Sequence, residues 1–388
     1  MRFNVTSEPM GSDETQVQTV LIVSMTTTSS DVRILRHINA LRQDFQIITM
    51  GYGGQPVGVK QHIEMPKHLP YLPLNLRALL PHVLQQFELS SQYTAAIQFA
   101  SEAIGSLQFD LALLNDVQTL PLMEQLSTPT IVDMHEYAPR EMDDDWRFRL
   151  FLMRYYTWLC ATYLPRARSV CTVSQTLASE YSRNFGVDVK VIQNARESRD
   201  LQVRETQARP LRLVHAGLAA SSRKLERMID AIDGHPDYEL DLYLVPAPRQ
   251  ASYARLKNRV RSSNNVRVVS PVPAHVLPET LNEYDLSLIF MSSDSFSVRH
   301  CMPNKLFDSI QARVGIVASP LPDVKDFVDR YEVGVSAEDF SAGALRECLE
   351  KLNIEQVNSF KVACDSVAKR INAESEAVKL RNLIRSSR

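Results

Sequence analysis

No run of about 18 uncharged apolar residues occurs in this 388-residue chain, so no segment reads as a membrane-spanning helix. Cysteine is sparse and unpatterned. Cys160, Cys171, Cys301, Cys348 and Cys364 make five, an odd number without a C-x-x-C pair, which points to reduced thiols in a cytosol and away from structural zinc. An excess of one charge is also missing. A net charge of -2 argues against nucleic-acid binding by bulk electrostatics. The opening stretch MRFNVTSEPMGSDETQ has no apolar core, so residues 1–18 read as a frayed tail and not as a signal peptide.

What is present is globular. Apolar residues make up 44% and charged residues 23% of the chain, enough for sizeable cores. At roughly 150 residues per domain, two or three domains are expected. Thr19 to Met25 is a continuous apolar run, the pattern of a parallel strand buried on both faces. The loop Thr26 to Ser30 ends at Asp31, and Val32, Leu35, Ile38 and Leu41 follow at helical spacing. Gln46 to Met50 is the next strand, which makes a βαβ opening and predicts a doubly wound α/β sheet. Asp110 to Asn115, Thr130 to Met134, Ser169 to Val173 and Val189 to Ile192 continue that half. The segment Pro66 to Pro81 holds too many prolines for a regular element; it reads as packed loop, flap, or a patch for lipid or partner. Asp143 to Arg168 is a long helical candidate rich in aromatics, with Arg147 and Arg154 on one face. It is either core or a basic, aromatic surface. Asp143-Asp144-Asp145 before it caps a helix or, less simply, holds a metal.

Arg196 to Pro210 is charged and poor in apolar residues, the mark of a linker. Leu211 to Ala216, Leu240 to Val245, Val266 to Val269, Leu286 to Phe290 and Ile316 to Ala318 then repeat the strand–helix alternation. The expected organisation is residues 19–195, a linker at 196–210, a second Rossmann-like domain at 211–366, and a solvated helix at 367–388 that packs back toward the first domain.

Two places gather polar chemistry. One is Asp133-Met134-His135-Glu136, at the C-terminal edge of a strand, where open α/β sheets bind ligands. The other is Arg299 to Ser319. There Arg299, His300, Asn304 and Lys305 surround Pro303 before a helix, and Asp308 lies one turn in. Cations at a helix N-terminus suit an anion, and a carboxylate can accept two hydrogen bonds from a ribose diol. The alternative is a Pro-started helix whose charges face water. Arg223 and Lys224 are likewise either an anion site or surface charges, and His135 and Glu136 either functional or structural.

Two Rossmann halves, the His-Glu step, VIQNA before the linker, HAG followed by RK, MPNKLFD and IVASPLPD together resemble a family-4 glycosyltransferase. SSDVRILRHINAL resembles the opening of the same family. The resemblance implies a GT-B fold, with two Rossmann-like domains facing across a cleft. It also implies a retaining, metal-independent transfer of sugar from a UDP- or GDP-linked donor, with no cofactor. Glycan, lipid-linked and small-molecule acceptors all fit. The expected setting is cell-envelope polysaccharide or glycoconjugate synthesis in the cytoplasm, at the inner face of the membrane. Lys224, assisted by Arg223, falls at the family's diphosphate lysine, and Asp308 at its ribose carboxylate. His300 replaces a glutamate that contacts the transferred sugar, and His135 matches a histidine near the anomeric carbon. Leu218 follows Gly217 where an arginine is usual, so Lys305 or Arg299 would supply the missing charge. Asn304, Pro303, Gly217 and Val272 complete the expected donor site. Ser29, Ser30, Glu136 and Asn194 line the expected cleft, with Thr28-Ser29-Ser30 in place of a glycine-rich loop. Two other activities fit the frame: a sugar-nucleotide 2-epimerase, which needs further carboxylates, and a non-catalytic nucleotide- or partner-binding subunit.

Overall fold

The computed structural model describes residues 17–247, 251–292 and 294–387; all but the last two residues of the expected tail at 1–18 lie outside them. The first sheet has seven strands: β1 (Thr19–Thr27), β2 (Gln46–Tyr52), β3 (Gln61–Met65), β4 (Leu111–Asn115), β5 (Thr130–Met134), β6 (Ser169–Thr172) and β7 (Val189–Val191). They run in the order β3-β2-β1-β4-β5-β6-β7, every pair parallel. The second sheet has β8 (Leu211–Ala219), β9 (Tyr238–Pro246), β10 (Val266–Val269), β11 (Leu286–Ile289), β12 (Gly315–Ala318) and β13 (Gly334–Ser336), ordered β10-β9-β8-β11-β12-β13 and again parallel. Both orders reverse at the first strand of their sheet. That switch point opens a crevice at the C-terminal strand ends.

The physical cause lies in the apolar runs. Val20 to Met25 of β1 are buried on both faces, as a parallel strand covered by helices requires. The helix Val32–Leu41 starts where Asp31 accepts hydrogen bonds from the backbone N–H of Arg33 (2.9 Å) and Ile34 (3.3 Å), a side-chain N-cap. The tail differs from the single helix read in the sequence. The helix Ile354–Ala368 ends at its cap Lys369, and Asn372 donates to the Ala368 and Lys369 carbonyls and caps the next helix, Ala373–Ser386, through a reciprocal bond pair with Ser375. Leu380 and Ile384 of this last helix are buried in the first domain's core with Val20, Ile34 and Leu113. Each such side chain contributes about 1.5–3 kcal/mol by leaving water.

Two other elements correct the sequence reading. The proline-rich stretch contains a helix, Leu76–Val83, with Pro81 inside it and Asn75 as its cap. The aromatic segment is not one helix: Phe148–Leu152 forms a π turn before the helix Met153–Tyr163. The linker has no regular structure and is fixed to the second domain. Arg313 donates to the Arg199 carbonyl (2.8 Å), and Asn358 and Thr206 bond each other reciprocally (2.8 and 3.0 Å).

Candidate functional site

The C-terminal strand ends of both sheets meet across the crevice. On the second domain, β8 carries His215 and Gly217 to its edge. A Cβ added at Gly217 would lie 3.2 Å from Lys305 Nζ and 3.3 Å from His215 Nε2, so a side chain here would press on both groups. Lys305 sits in the first turn of the helix Asn304–Gln311. Its N-cap, Pro303, makes no side-chain cap bond, which leaves first-turn N–H groups for a ligand. Among the described residues the Lys305 ammonium makes no salt bridge or hydrogen bond, and the carboxylate acting on it from a distance is Asp308. Burial, and then nearby Arg223, pushes its pKa down to about 8. His215 donates from Nδ1 to the Leu288 carbonyl (2.8 Å), so its buried Nε2 is a bare acceptor. Burial and Lys305 lower its pKa to about 3 and keep it neutral. Arg223 is half-buried, and among the described residues its one side-chain hydrogen bond is a weak one to Met291 Sδ (3.7 Å). Two cations without a salt bridge among the described residues thus lie beside a glycine and a helix tip, a site suited to an anion.

Lys224 does not join them. It takes a left-handed conformation (φ +51°) after the turn Ser221–Arg223 and is exposed. Arg299 and Asn304 are exposed as well, and Val272 is half-buried in the loop after β10. Asp308 lies on the same helix as Lys305, one turn on. It is buried and held by Arg196 of the linker, Nε to Oδ1 at 2.6 Å and Nη2 to Oδ2 at 3.1 Å. Burial raises its pKa and Arg196 works against that rise. Each Asp308 oxygen keeps a lone pair free for a second donor. Asp308 borders a cavity of about 650 Å³ whose walls include Arg36, Arg196, Asn194, His275 and Pro278.

On the first domain His135 stands at the end of β5. Its environment decides its protonation. Asn194 Oδ1 accepts from Arg33 Nη1 (3.1 Å) and Arg36 Nη1 (3.0 Å), and arginine can only donate. The amide nitrogen of Asn194 therefore faces His135 Nε2, 2.9 Å away, and must be the donor. Nε2 is bare and the proton sits on Nδ1, which has no partner among the described residues. Burial, then the charge of Arg33, lowers the His135 pKa to about 4, so the ring is neutral. Arg33 is itself fixed by a two-point pairing with buried Asp133. Burial alone would raise the Asp133 pKa, but Arg33 and His37 hold it well below the usual carboxylate range.

The first domain also contributes carboxylates that the sequence reading missed. Asp116, at the end of β4, adopts φ +65°, a strained conformation for a non-glycine residue. Its N–H donates to the Asp133 carbonyl (2.9 Å) and its Oδ1 accepts from His135 N–H (3.0 Å). Burial raises its pKa to about 6. Burial likewise raises Glu141 to about 7, with Asp116 as a neighbouring negative charge, and raises Glu136, already marked in the sequence, to about 7, with Glu141 and Asp116 beside it. The strand-edge rule that singled out His135 applies equally to Asn115-Asp116, which was the available signal.

The lobes touch around His300. Its Nδ1 lies 3.3 Å from Asp323 Oδ2, and its ring packs at a tilt against Phe296, 4.5 Å between centroids. Phe296 N–H donates to Asp143 Oδ1 (2.9 Å), and Arg140 lies over the Phe296 ring at 4.5 Å. Asp143 thus serves this contact, and no group of three metal-ligating side chains occurs among the described residues. Ser29 and Ser30 are exposed in the turn after β1, where Ser30 Oγ donates to the Thr27 carbonyl (3.3 Å).

No family model matches the chain, and no curated protein sequence matches it. Solved structures do. Sucrose-phosphate synthase from Thermosynechococcus elongatus is similar over 95% of this chain and 98% of its own, with a TM-score of 0.70 at 12% identity. A glycosyltransferase from Rickettsia africae is similar over 96% and 99%, with a TM-score of 0.67 at 12% identity. The HepE protein of Anabaena, in complex with UDP and glucose, is similar over 95% and 100%, with a TM-score of 0.64 at 14% identity. At these identities the likeness establishes the fold: two parallel-sheet α/β domains in the GT-B arrangement.

Proposed function

We propose that the chain is a retaining, metal-independent glycosyltransferase of the family-4 type, moving a sugar from a nucleoside diphosphate donor to an acceptor hydroxyl. The observation that carries this is a pair of cations without a salt bridge among the described residues: Lys305, against Gly217 at an uncapped helix tip, and Arg223 beside it, facing the domain that carries neutral His135. A diphosphate there takes the free N–H groups and both charges. Asp308, one turn along, meets the ribose with its two remaining lone pairs while Arg196 holds it still. The comparison structure that contains UDP and glucose supports a UDP-linked donor.

The chemistry follows from these groups. As the bond from the anomeric carbon to the phosphate oxygen breaks, negative charge grows on the leaving phosphate, where Lys305 and Arg223 stabilise it. Positive charge grows on the sugar. A neutral imidazole does not repel that charge, and its Nδ1–H is left to bind a sugar oxygen. The acceptor oxygen attacks the face the diphosphate leaves and passes its proton to that phosphate. The contact of Phe296 with Asp143 and Arg140 keeps the lobes closed and limits hydrolysis. His300, paired with Asp323, faces the transferred sugar, and Glu136, Ser29 and Ser30 border the acceptor side. On this reading the reaction takes place in the cytoplasm, at the inner face of the membrane, with a glycan, lipid-linked or small-molecule acceptor.

A second reading has one observation in its favour. Asp116, Glu136 and Glu141 are the acid–base carboxylates that a sugar-nucleotide 2-epimerase requires, and all three titrate near neutrality. Incubation with UDP- and GDP-sugars in deuterium oxide separates the two. Nucleotide release that depends on an acceptor supports transfer, deuterium at C2 supports epimerisation, and binding without turnover contradicts both.

A further inference from the structure

We infer that the helix Leu76–Val83 and the adjoining π turn form a docking face for an anionic lipid bilayer. Helices of soluble domains turn their apolar stripe inward. This one does the reverse. Leu76, Leu79, Leu80, Val83 and the following Leu84 fall at one helical face and are all exposed, Leu76 at 87%. The inward positions are Ala78 and His82. His82 Nε2 bonds the Phe151 carbonyl (2.7 Å), which joins the helix to the π turn, where Leu150, Phe151 and nearby Trp146 are exposed in turn. No other part of the described chain covers this surface.

Charge identifies the occupant. Lys67, Arg77, Arg147, Arg149 and Arg154 are exposed in the same stretches, against the exposed carboxylates Glu88 and Asp144. Exposed leucines and a tryptophan interspersed with arginines, Arg147 lying over the Trp146 ring at 5.7 Å, match the interface of an anionic membrane: the apolar side chains enter the acyl boundary and the guanidinium groups meet the headgroups. No helix among the described residues is long and apolar enough to cross a bilayer, so the contact lies along its surface. The face also leads to the cleft, because Asp143, just before Trp146, binds the Phe296 backbone. A docked molecule would therefore hold its cleft near the membrane, where lipid-linked hydroxyls are concentrated. The docking itself does not depend on the sugar-transfer reading.

The test is flotation of the full chain with vesicles of phosphatidylglycerol and phosphatidylcholine, or of phosphatidylcholine alone, with sedimentation velocity alongside. The wild type is expected to float with the anionic vesicles and to remain behind with the neutral ones. Leu76→Glu/Leu80→Glu, at exposed positions, is expected to abolish flotation with an unchanged circular dichroism spectrum. Arg147→Gln/Arg149→Gln should weaken it about fivefold per arginine. Equal flotation of wild type and the leucine variant would overturn the inference. So would a dimer that the leucine variant dissociates, since a second copy would then cover the stripe. Donor binding is measured separately, so its loss bears on the sugar-transfer reading alone.

Discussion

Replacing Asn194 with aspartate changes one atom's worth of volume and reverses the logic of the His135 ring. In the native site the amide nitrogen donates across 2.9 Å to Nε2, and two arginines keep it facing that way. Aspartate has no donor to offer. Arg33 and Arg36 would bond one of its oxygens, and the other would face Nε2 and call for a proton there. A carboxylate at this distance stabilises imidazolium by about 1–3 pKa units. The His135 pKa, now about 4, would rise to roughly 5–7. Below that value the ring is charged beside a cationic sugar; above it the neutral ring carries Nε2–H and presents a bare Nδ1. Either way the neutral Nδ1 donor is gone. Loss of one such donor costs on the order of 10²–10³ in turnover. The direct assay is nitrogen NMR of histidine-labelled protein: a bare Nε2 and protonated Nδ1 in the wild type, and the opposite tautomer with a raised titration midpoint in Asn194→Asp. A wild-type His135 that titrates like a free histidine, or carries its proton on Nε2, refutes the argument.

The remaining predictions concern charge in the cleft. Lys305→Ala should lower turnover by on the order of 10²–10³, as loss of an oxyanion donor does, while Lys224→Ala, removing an exposed side chain, should change it far less; steady-state kinetics of the pair decides which lysine faces the diphosphate. Lys305 carries its charge below pH 8 and loses it above, and a bound diphosphate restores the proton. Donor Kd should therefore rise about tenfold from pH 7 to pH 9, and calorimetric titrations of Lys305→Arg should flatten that slope. Glu136 has a folded pKa of about 7 against an ordinary 4.5, so the folded state holds its proton more tightly and loses stability as pH rises through that window. Glu136→Gln should accordingly stabilise the protein by about 1–3 kcal/mol at pH 8, an advantage that urea unfolding should show shrinking toward pH 4.

Much of the fold can be read from the chain because parallel strands advertise themselves. Val20 to Met25 and Leu111 to Asn115 are buried on both sides and so are apolar at every position but Ser24 and Asn115. β3 escaped notice because Gln61–Met65 is a polar edge strand, largely open to water. The helix Leu76–Val83 was hidden by Pro81, and its outward leucines look in sequence like an ordinary core-facing stripe. In the cleft, His135 was legible from its place at a strand end. Which of two adjacent cations turns inward was not: Arg223 and Lys224 are separated by a left-handed backbone angle that no residue type there announces. The Arg196 grip on Asp308 was equally invisible, since it joins linker to helix across 112 positions. Tertiary contacts of that range leave no periodic trace.

The central claim is that the cleft holds a nucleoside diphosphate between Lys305, Arg223 and Asp308. A crystal structure of the full chain soaked with UDP or GDP tests it most directly. The account predicts phosphate oxygens within hydrogen-bond distance of Lys305 Nζ and the Arg223 guanidinium, and ribose hydroxyls on Asp308. A nucleotide bound with its phosphates on Lys224 and away from Gly217, or seated outside the cleft altogether, contradicts it.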